Sequence, residues 1–175
     1  PSNCALAVGK NIEYILVKTY QPYLGNPIKV ILAKDLVHKY FHENAAEISL
    51  EEYKHGDRYV PYKIEKTFKG TELAGINYEQ LMPYVKPEGD AFRVIIGDFV
   101  TTDDGTGIVH TASLFGADDF RVCNQNNISA IYVKDADGNN VPLVDKQGRF
   151  VKEVTDFAGM HVKTKADQEH PEKSN

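Results

Sequence analysis

No stretch of this sequence stays apolar for anything near the roughly 20 residues that a membrane-crossing helix needs, so a membrane span is excluded from the reading. No basic-then-apolar leader opens the chain, and nothing in it argues for secretion. There is no initiator Met: the sequence starts Pro-Ser-Asn-Cys, as a piece cut from something larger would. Cysteine is scarce. Cys4 and Cys123 are too few for a disulfide framework and lack metal-ligand spacing, so two reduced structural thiols in a cytoplasmic protein are expected. Positive charge is in deficit, and the net charge is -5. That disfavours a broad basic face gripping a nucleic-acid duplex, and leaves either no contact with nucleic acid or contact with a short end only, other parts of a larger protein holding the rest. Several chemical signatures are also missing. No Lys-Ser/Thr follows the one Gly-x-Gly, there is no Gly-x-Ser-x-Gly elbow, and no Cys–His pairing stands out. Neither a metal nor a nucleotide cofactor is expected in this segment. No internal repeat is visible.

What remains suits one ordinary domain. The 175 residues are enough to bury a real core. Runs at 5–8, 13–19 and 29–33 are rich in Val, Ile, Leu and Tyr and are punctuated by turn residues, which predicts strands. Leu36, Val37, Tyr40 and Phe41 fall at helical spacing, predicting a short helix over 33–45 with Asp35 as its cap. Strand-like pieces cover 58–70 and 71–75, and a loop with two prolines covers 78–90. Residues 91–101 form the strongest strand pattern, and 107–112 a second. A helix is expected over 117–126. Apolar arms flank Asp137-Gly138 as in a hairpin, and another turn lies at 145–150. Many short strands with two or three short helices predict a mainly β, β-rich α+β fold with a barrel-like core. The domain is read as 1–162. Residues 163–175 are polar and charged, and are expected to be disordered.

One stretch concentrates chemistry: DDGTGIVHTASLFGADDF, Asp103 to Phe120. Its bland reading is a hairpin turn at Gly105-Thr106-Gly107, a half-buried strand histidine at His110, and first-turn helix aspartates at Asp118 and Asp119. The other histidines suggest less. His38 and His42 are four apart on a predicted helix, but no further ligand completes a metal set.

Taken whole, the string closely resembles the Gly-Thr-Gly-Ile-Val-His-x-Ala-Pro-x-x-Gly-x-x-Asp stretch of the isoleucyl-tRNA synthetase family, within the editing domain known as connective peptide 1. Three further segments are similar to that domain. PSNCALAVG resembles the end of its threonine-rich stretch, GTELAGINYEQL its Gly-x-x-Leu-x-Gly-x-x-Tyr segment, and LVDKQGRFVKEVTDFAG its exit segment. The resemblance spans about Pro1 to Val162. It implies a β-barrel-like core with peripheral helices, and an aminoacyl-tRNA ester hydrolase that clears valine from mischarged tRNA(Ile). The partners implied are the 3′ end of tRNA(Ile) carrying valine and the rest of the parent synthetase, whose synthetic domain would use ATP and Mg. The fragment itself is expected to be monomeric.

The resemblance also assigns residues. Asp119 would hold the α-ammonium of the misattached amino acid. His110 would either set position by hydrogen bonding or form part of the wall that excludes isoleucine. The Gly105-Thr106-Gly107 backbone would let the tRNA end approach closely, and Asn3 would orient polar groups at the pocket edge. Two departures stand out. Ser113 replaces the usual Pro, and the family's threonine-rich stretch would lie before Pro1, so impaired hydrolysis is expected of this segment alone. Two rival readings share the string. One is a valyl- or leucyl-type editing domain, which usually carries Lys or Thr where His110 stands. The other is a non-catalytic β-barrel binding module.

Overall fold

The computed structural model describes residues 1–163. The expected tail therefore lies, Lys163 apart, outside the described residues. Eight strands and three short α-helices appear among the described residues: β1 Ala5–Val8, β2 Glu13–Tyr20, β3 Pro27–Ala33, α1 Val37–Tyr40, β4 Lys63–Lys69, α2 Gly70–Leu73, β5 Arg93–Ile96, β6 Ile108–Thr111, α3 Ala117–Gln125, β7 Val133–Lys134 and β8 Asn140–Val141. The β-rich α+β class is thus observed. The strands are divided among three small sheets, ordered β5-β1-β6, β3-β2-β4 and β7-β8, and no closed barrel forms among the described residues.

The chain folds into two compact units. One comprises Leu6–Asn77 and Arg93–His110; the other comprises Pro1–Ala5, Tyr78–Phe92 and the described residues from Thr111 on.

The first unit is built around β2. Its sequence EYILVKTY is β-branched and aromatic, which suits a central strand. It pairs antiparallel with β3 from Tyr14↔Ala33 to Tyr20↔Pro27, and with β4 from Glu13↔Lys69 to Lys18↔Lys63. A register shift between Leu16 and Val17 leaves Glu65 without an opposite residue, so β4 bulges there. Successive side chains of a strand point to opposite faces, so the adjacent buried pair Tyr14 and Ile15 serve separate cores. Tyr14 packs with Val8, Ala33, Leu36 and Leu73; Ile15 packs with Val17 and Leu32. The flanking strands carry edge features: Pro27 begins β3, and β4 reads KIEKTFK, with exposed charges that oppose further pairing.

Several elements are shorter than the sequence pattern suggests. The helix expected over 33–45 is a 3₁₀ turn at Lys34–Leu36, then α1, then extended backbone at Phe41 and a second 3₁₀ turn at Glu43–Ala45. Asp35 does not cap it. It lies inside the first turn, and the N-cap residue Ala33 offers no side-chain acceptor. Residues 71–75 are largely helical rather than strand-like: Glu72 Oε2 accepts the Lys69 N–H at 2.6 Å and fixes the start of α2. The strong pattern at 91–101 yields only Arg93–Ile96. Phe92 sits at φ 58°, a left-handed conformation that ends the strand's N-terminal side.

The second unit has its own core of Ile131, Leu143 and Val154, with Met82, Tyr84, Val85, Phe92, Phe150 and Val151 packed on it. Its two turns use one device. Asp135 Oδ1 accepts the N–H groups of Asp137 and Asn139, and Asp145 Oδ1 accepts those of Gln147 and Arg149. The short aspartate side chain replaces a backbone acceptor in each.

Candidate functional site

The glycine-rich loop and His110 belong to the β2-centred unit. Gly105 and Gly107 both have positive φ, 65° and 72°. Their surroundings differ. Nothing among the described residues lies within 4 Å of where a Gly105 Cβ would be, whereas a Gly107 Cβ would sit 2.5 Å from Ala33 Cβ. Gly107 is held from a second side by Tyr14, whose hydroxyl donates to the Gly107 carbonyl at 2.6 Å and accepts the Gly9 N–H at 2.8 Å. Burial pushes the Tyr14 phenol above its ordinary value, so it stays protonated to make that bond. The Ala33 N–H donates to the Thr106 carbonyl at 2.8 Å. Thr106 is also among the residues lining an apolar hollow of about 300 Å³ with Ile31, Leu32, Tyr40 and Phe41. The tip of the loop at Gly105 is therefore open, and its return limb is clamped. His110 stands exposed in β6.

Asn3 and Asp119 belong to the other unit, which gathers several polar groups around them. The Asn3 amide is used at both ends: Oδ1 accepts the Tyr78 hydroxyl at 2.5 Å, and Nδ2 donates to the Ala5 carbonyl at 3.0 Å. Burial raises the Tyr78 phenol far above its ordinary value. Cys4 N–H bonds Thr111 O, and Phe92 N–H bonds Cys4 O, so residues 3–5 are held along their length. Asp119 lies in the first turn of α3, where the helix dipole favours a carboxylate. Its Oδ2 accepts the Ala112 N–H at 2.9 Å, tying the 112–116 loop to the helix that follows it. Neighbouring Asp118 turns outward to Arg121, 3.1 Å away. Ser113 is buried, and its hydroxyl has no hydrogen-bond partner among the described residues.

The structure thus groups Gly105, Thr106, Gly107 and His110 in one unit, and Asn3 with Asp119 in the other. Part of the bland reading holds: Asp119 does anchor a helix start, with one oxygen. Sequence reasoning missed Tyr14 and Tyr78. Tyr78 had a signal, since it is the tyrosine of the GTELAGINYEQL segment. Tyr14 had only its place among the apolar residues of β2. Among the described residues no group of three or more His, Cys, Asp or Glu side chains could hold a metal. No helix among them is long and apolar enough to cross a membrane.

No protein-family model matches the chain. Individual proteins do. It is 63% identical over 163 residues to the isoleucine–tRNA ligase of Cytophaga hutchinsonii, 93% of this chain against 15% of that protein. It is 50% identical over 150 residues to that of Bacteroides fragilis, 86% against 13%. It is 42% identical over 167 residues to that of Clostridium tetani, 95% against 13%. The chain is homologous to one segment of the isoleucine–tRNA ligases. It spans about one seventh of the length of these relatives. The polar groups around Asn3 and Asp119, and the clamped Gly-Thr-Gly loop, are therefore features of a ligase-derived segment.

Proposed function

We propose that this segment is the editing domain of an isoleucine–tRNA ligase, acting in the cytoplasm on the 3′ end of tRNA(Ile), and that it hydrolyses the ester of misattached valine. The need for such a step is physical. Valine lacks one methylene of isoleucine, and a hydrophobic pocket discriminates that by only about 1–3 kcal/mol, a limit for which the isoleucyl enzymes are themselves the standing example. A second, smaller site admits valine and rejects isoleucine by size.

The observation that carries the reading is Asp119. It is half-buried, one carboxylate oxygen is committed to Ala112 N–H, and among the described residues its other oxygen accepts no hydrogen bond. A carboxylate so placed suits an α-ammonium, through a charge-assisted hydrogen bond. In the proposed reaction water adds to the ester carbonyl, the bond to the ribose oxygen breaks, and valine leaves as the free acid. Asp119 holds the ammonium throughout. His110, at the end of the clamped loop, orients the substrate or walls off a larger side chain. The open backbone at Gly105 receives the terminal nucleotide, and Asn3, itself fixed by Tyr78, presents its remaining amide valences at the edge. The net charge of -5 fits a site that handles a single-stranded end while the rest of the synthetase holds the tRNA body.

The test is deacylation by the synthetase carrying this domain. Val-tRNA(Ile) should be cleaved at least about tenfold faster than Ile-tRNA(Ile), the discrimination one methylene allows. Equal rates, or none, would overturn the reading.

A further inference from the structure

The sequence's two cysteines are 119 positions apart, yet they meet: Cys4 Sγ lies 3.7 Å from Cys123 Sγ, and both side chains are buried. The ester hydrolysis proposed above has no use for a thiol. A disulfide holds its sulfurs about 2.05 Å apart, so closure needs an approach of about 1.7 Å. Both cysteines lie in the same compact unit. The buried Ser113 hydroxyl, which has no hydrogen-bond partner among the described residues, also favours a charged Cys4 sulfur.

We propose that Cys4 and Cys123 are a redox modification site, converted by a peroxide into an intramolecular disulfide that a dithiol reverses. The Cys4 thiolate attacks one peroxide oxygen, the O–O bond breaks, and water leaves after protonation; Cys4 is now a sulfenic acid. The Cys123 sulfur then attacks the Cys4 sulfur, the S–O bond breaks, and a second water leaves with the Cys123 proton. The peroxide is reduced by two electrons, and the two thiols are oxidised by two. The order of events follows from the pair's asymmetry. The contact with the Cys123 sulfur, in which either thiol can donate, draws the Cys4 thiol down to about 7, against burial, which pushes it up. The same contact, with burial, pushes the Cys123 thiol well up. Cys4 is thus the attacking sulfur and Cys123 the resolving one.

The bond has a consequence for the site. Cys4 follows Asn3 directly, and Cys123 lies one helical turn beyond Asp119 on α3. Oxidation draws these two segments together and shifts Asp119, slowing deacylation several-fold. This consequence rests on the function proposed above; the thiol chemistry does not.

The experiment is intact-mass and thiol analysis of the protein before and after hydrogen peroxide, with deacylation by the synthetase carrying it measured alongside. The expected result is a monomer lighter by two hydrogens, with both thiols lost and both restored by dithiothreitol. In the Cys123→Ser protein, which keeps a hydroxyl donor beside Cys4 but cannot resolve, Cys4 should be trapped by dimedone as the sulfenic acid; in the Cys4→Ala protein, Cys123 should stay a thiol. Two intact thiols after peroxide would overturn the proposal, as would oxygen added to one cysteine of the wild-type protein or a disulfide-linked dimer. The wild-type measurement needs no variant to fold. A disulfide that leaves deacylation unchanged would overturn the consequence. Absent deacylation in the reduced synthetase carrying this domain would sink the editing function and leave the thiol result standing.

Discussion

Gly105 and Gly107 sit two residues apart in one loop with the same left-handed backbone, and they should respond very differently to substitution. Gly105→Ala meets open space, so only the backbone penalty applies, about 1 kcal/mol. Gly107→Ala adds a collision with Ala33 and should cost more than about 2 kcal/mol. Thermal or urea unfolding of the two variants checks the ordering. Tyr14→Phe should cost about 1–3 kcal/mol in the same measurement, because it leaves the buried Gly9 N–H and Gly107 carbonyl without their partner. At this scale the sequence was informative wherever the relevant residues were contiguous. The string from Gly105 to Asp119 could be read as one motif because its members are neighbours along the chain. Tyr14 with Gly107, Tyr78 with Asn3, and Cys4 with Cys123 could not, since each contact joins residues 75 to 119 positions apart. The link between Asp119 and Ala112 N–H is local but leaves no pattern, because any residue except proline could supply that amide.

At the scale of elements, the twin aspartate turns give a pH prediction. Backbone N–H bonds, from Asn139 to Asp135 and from Arg149 to Asp145, hold both carboxyls below the ordinary value of 3.8. Their folded values are depressed, so the stabilisation is complete above the ordinary value and is lost as pH falls below it and through the folded values. The Asn139 and Arg149 amide resonances, followed by NMR down to acid, should titrate with midpoints below 3.8. Midpoints at or above that value would contradict the geometry. Asp137-Gly138 correctly announced the hairpin, but the residue that organises it, Asp135, is two positions earlier and announces nothing by composition. The helix over 117–126 was legible because Gly116 precedes it, two aspartates open it, and Val122 and Cys123 supply its buried face. The helix over 33–45 was overread. Leu36, Val37, Tyr40 and Phe41 have helical spacing, but Phe41 turns extended and packs on Tyr62, with ring centroids 4.6 Å apart. Tertiary packing outweighed local propensity there.

For the whole molecule, the β-rich α+β class followed from many short β-branched runs, and that much is a property of composition. The division into two units did not. The unit holding Asp119 is assembled from three separated stretches, and nothing in a linear pattern marks such a grouping. Nor could the pattern say whether short strands would share one sheet or three. Residues 164–175 contain no large apolar side chain. Ending the chain at Lys163 should therefore leave the unfolding midpoint within about a degree or two of the intact protein's, as stability comes from buried apolar surface; a larger drop in a thermal scan would show that these residues pack.

The proposed function depends on Asp119 as the group that reads the α-ammonium. Asp119→Asn keeps an oxygen for Ala112 N–H and removes the charge, so the fold should survive while the ion pair is lost. Removing one partner of a desolvated charge pair costs about 2–5 kcal/mol, and each 1.4 kcal/mol is tenfold. Val-tRNA(Ile) deacylation should therefore fall by about 30-fold to several thousand-fold. Deacylation of the same tRNA charged with the α-hydroxy analogue of valine should change little, because that ester has no ammonium to lose. If both esters slow equally, or if Val-tRNA(Ile) is still cleared at the wild-type rate, Asp119 serves only the start of α3 and the proposed reading of the site is wrong.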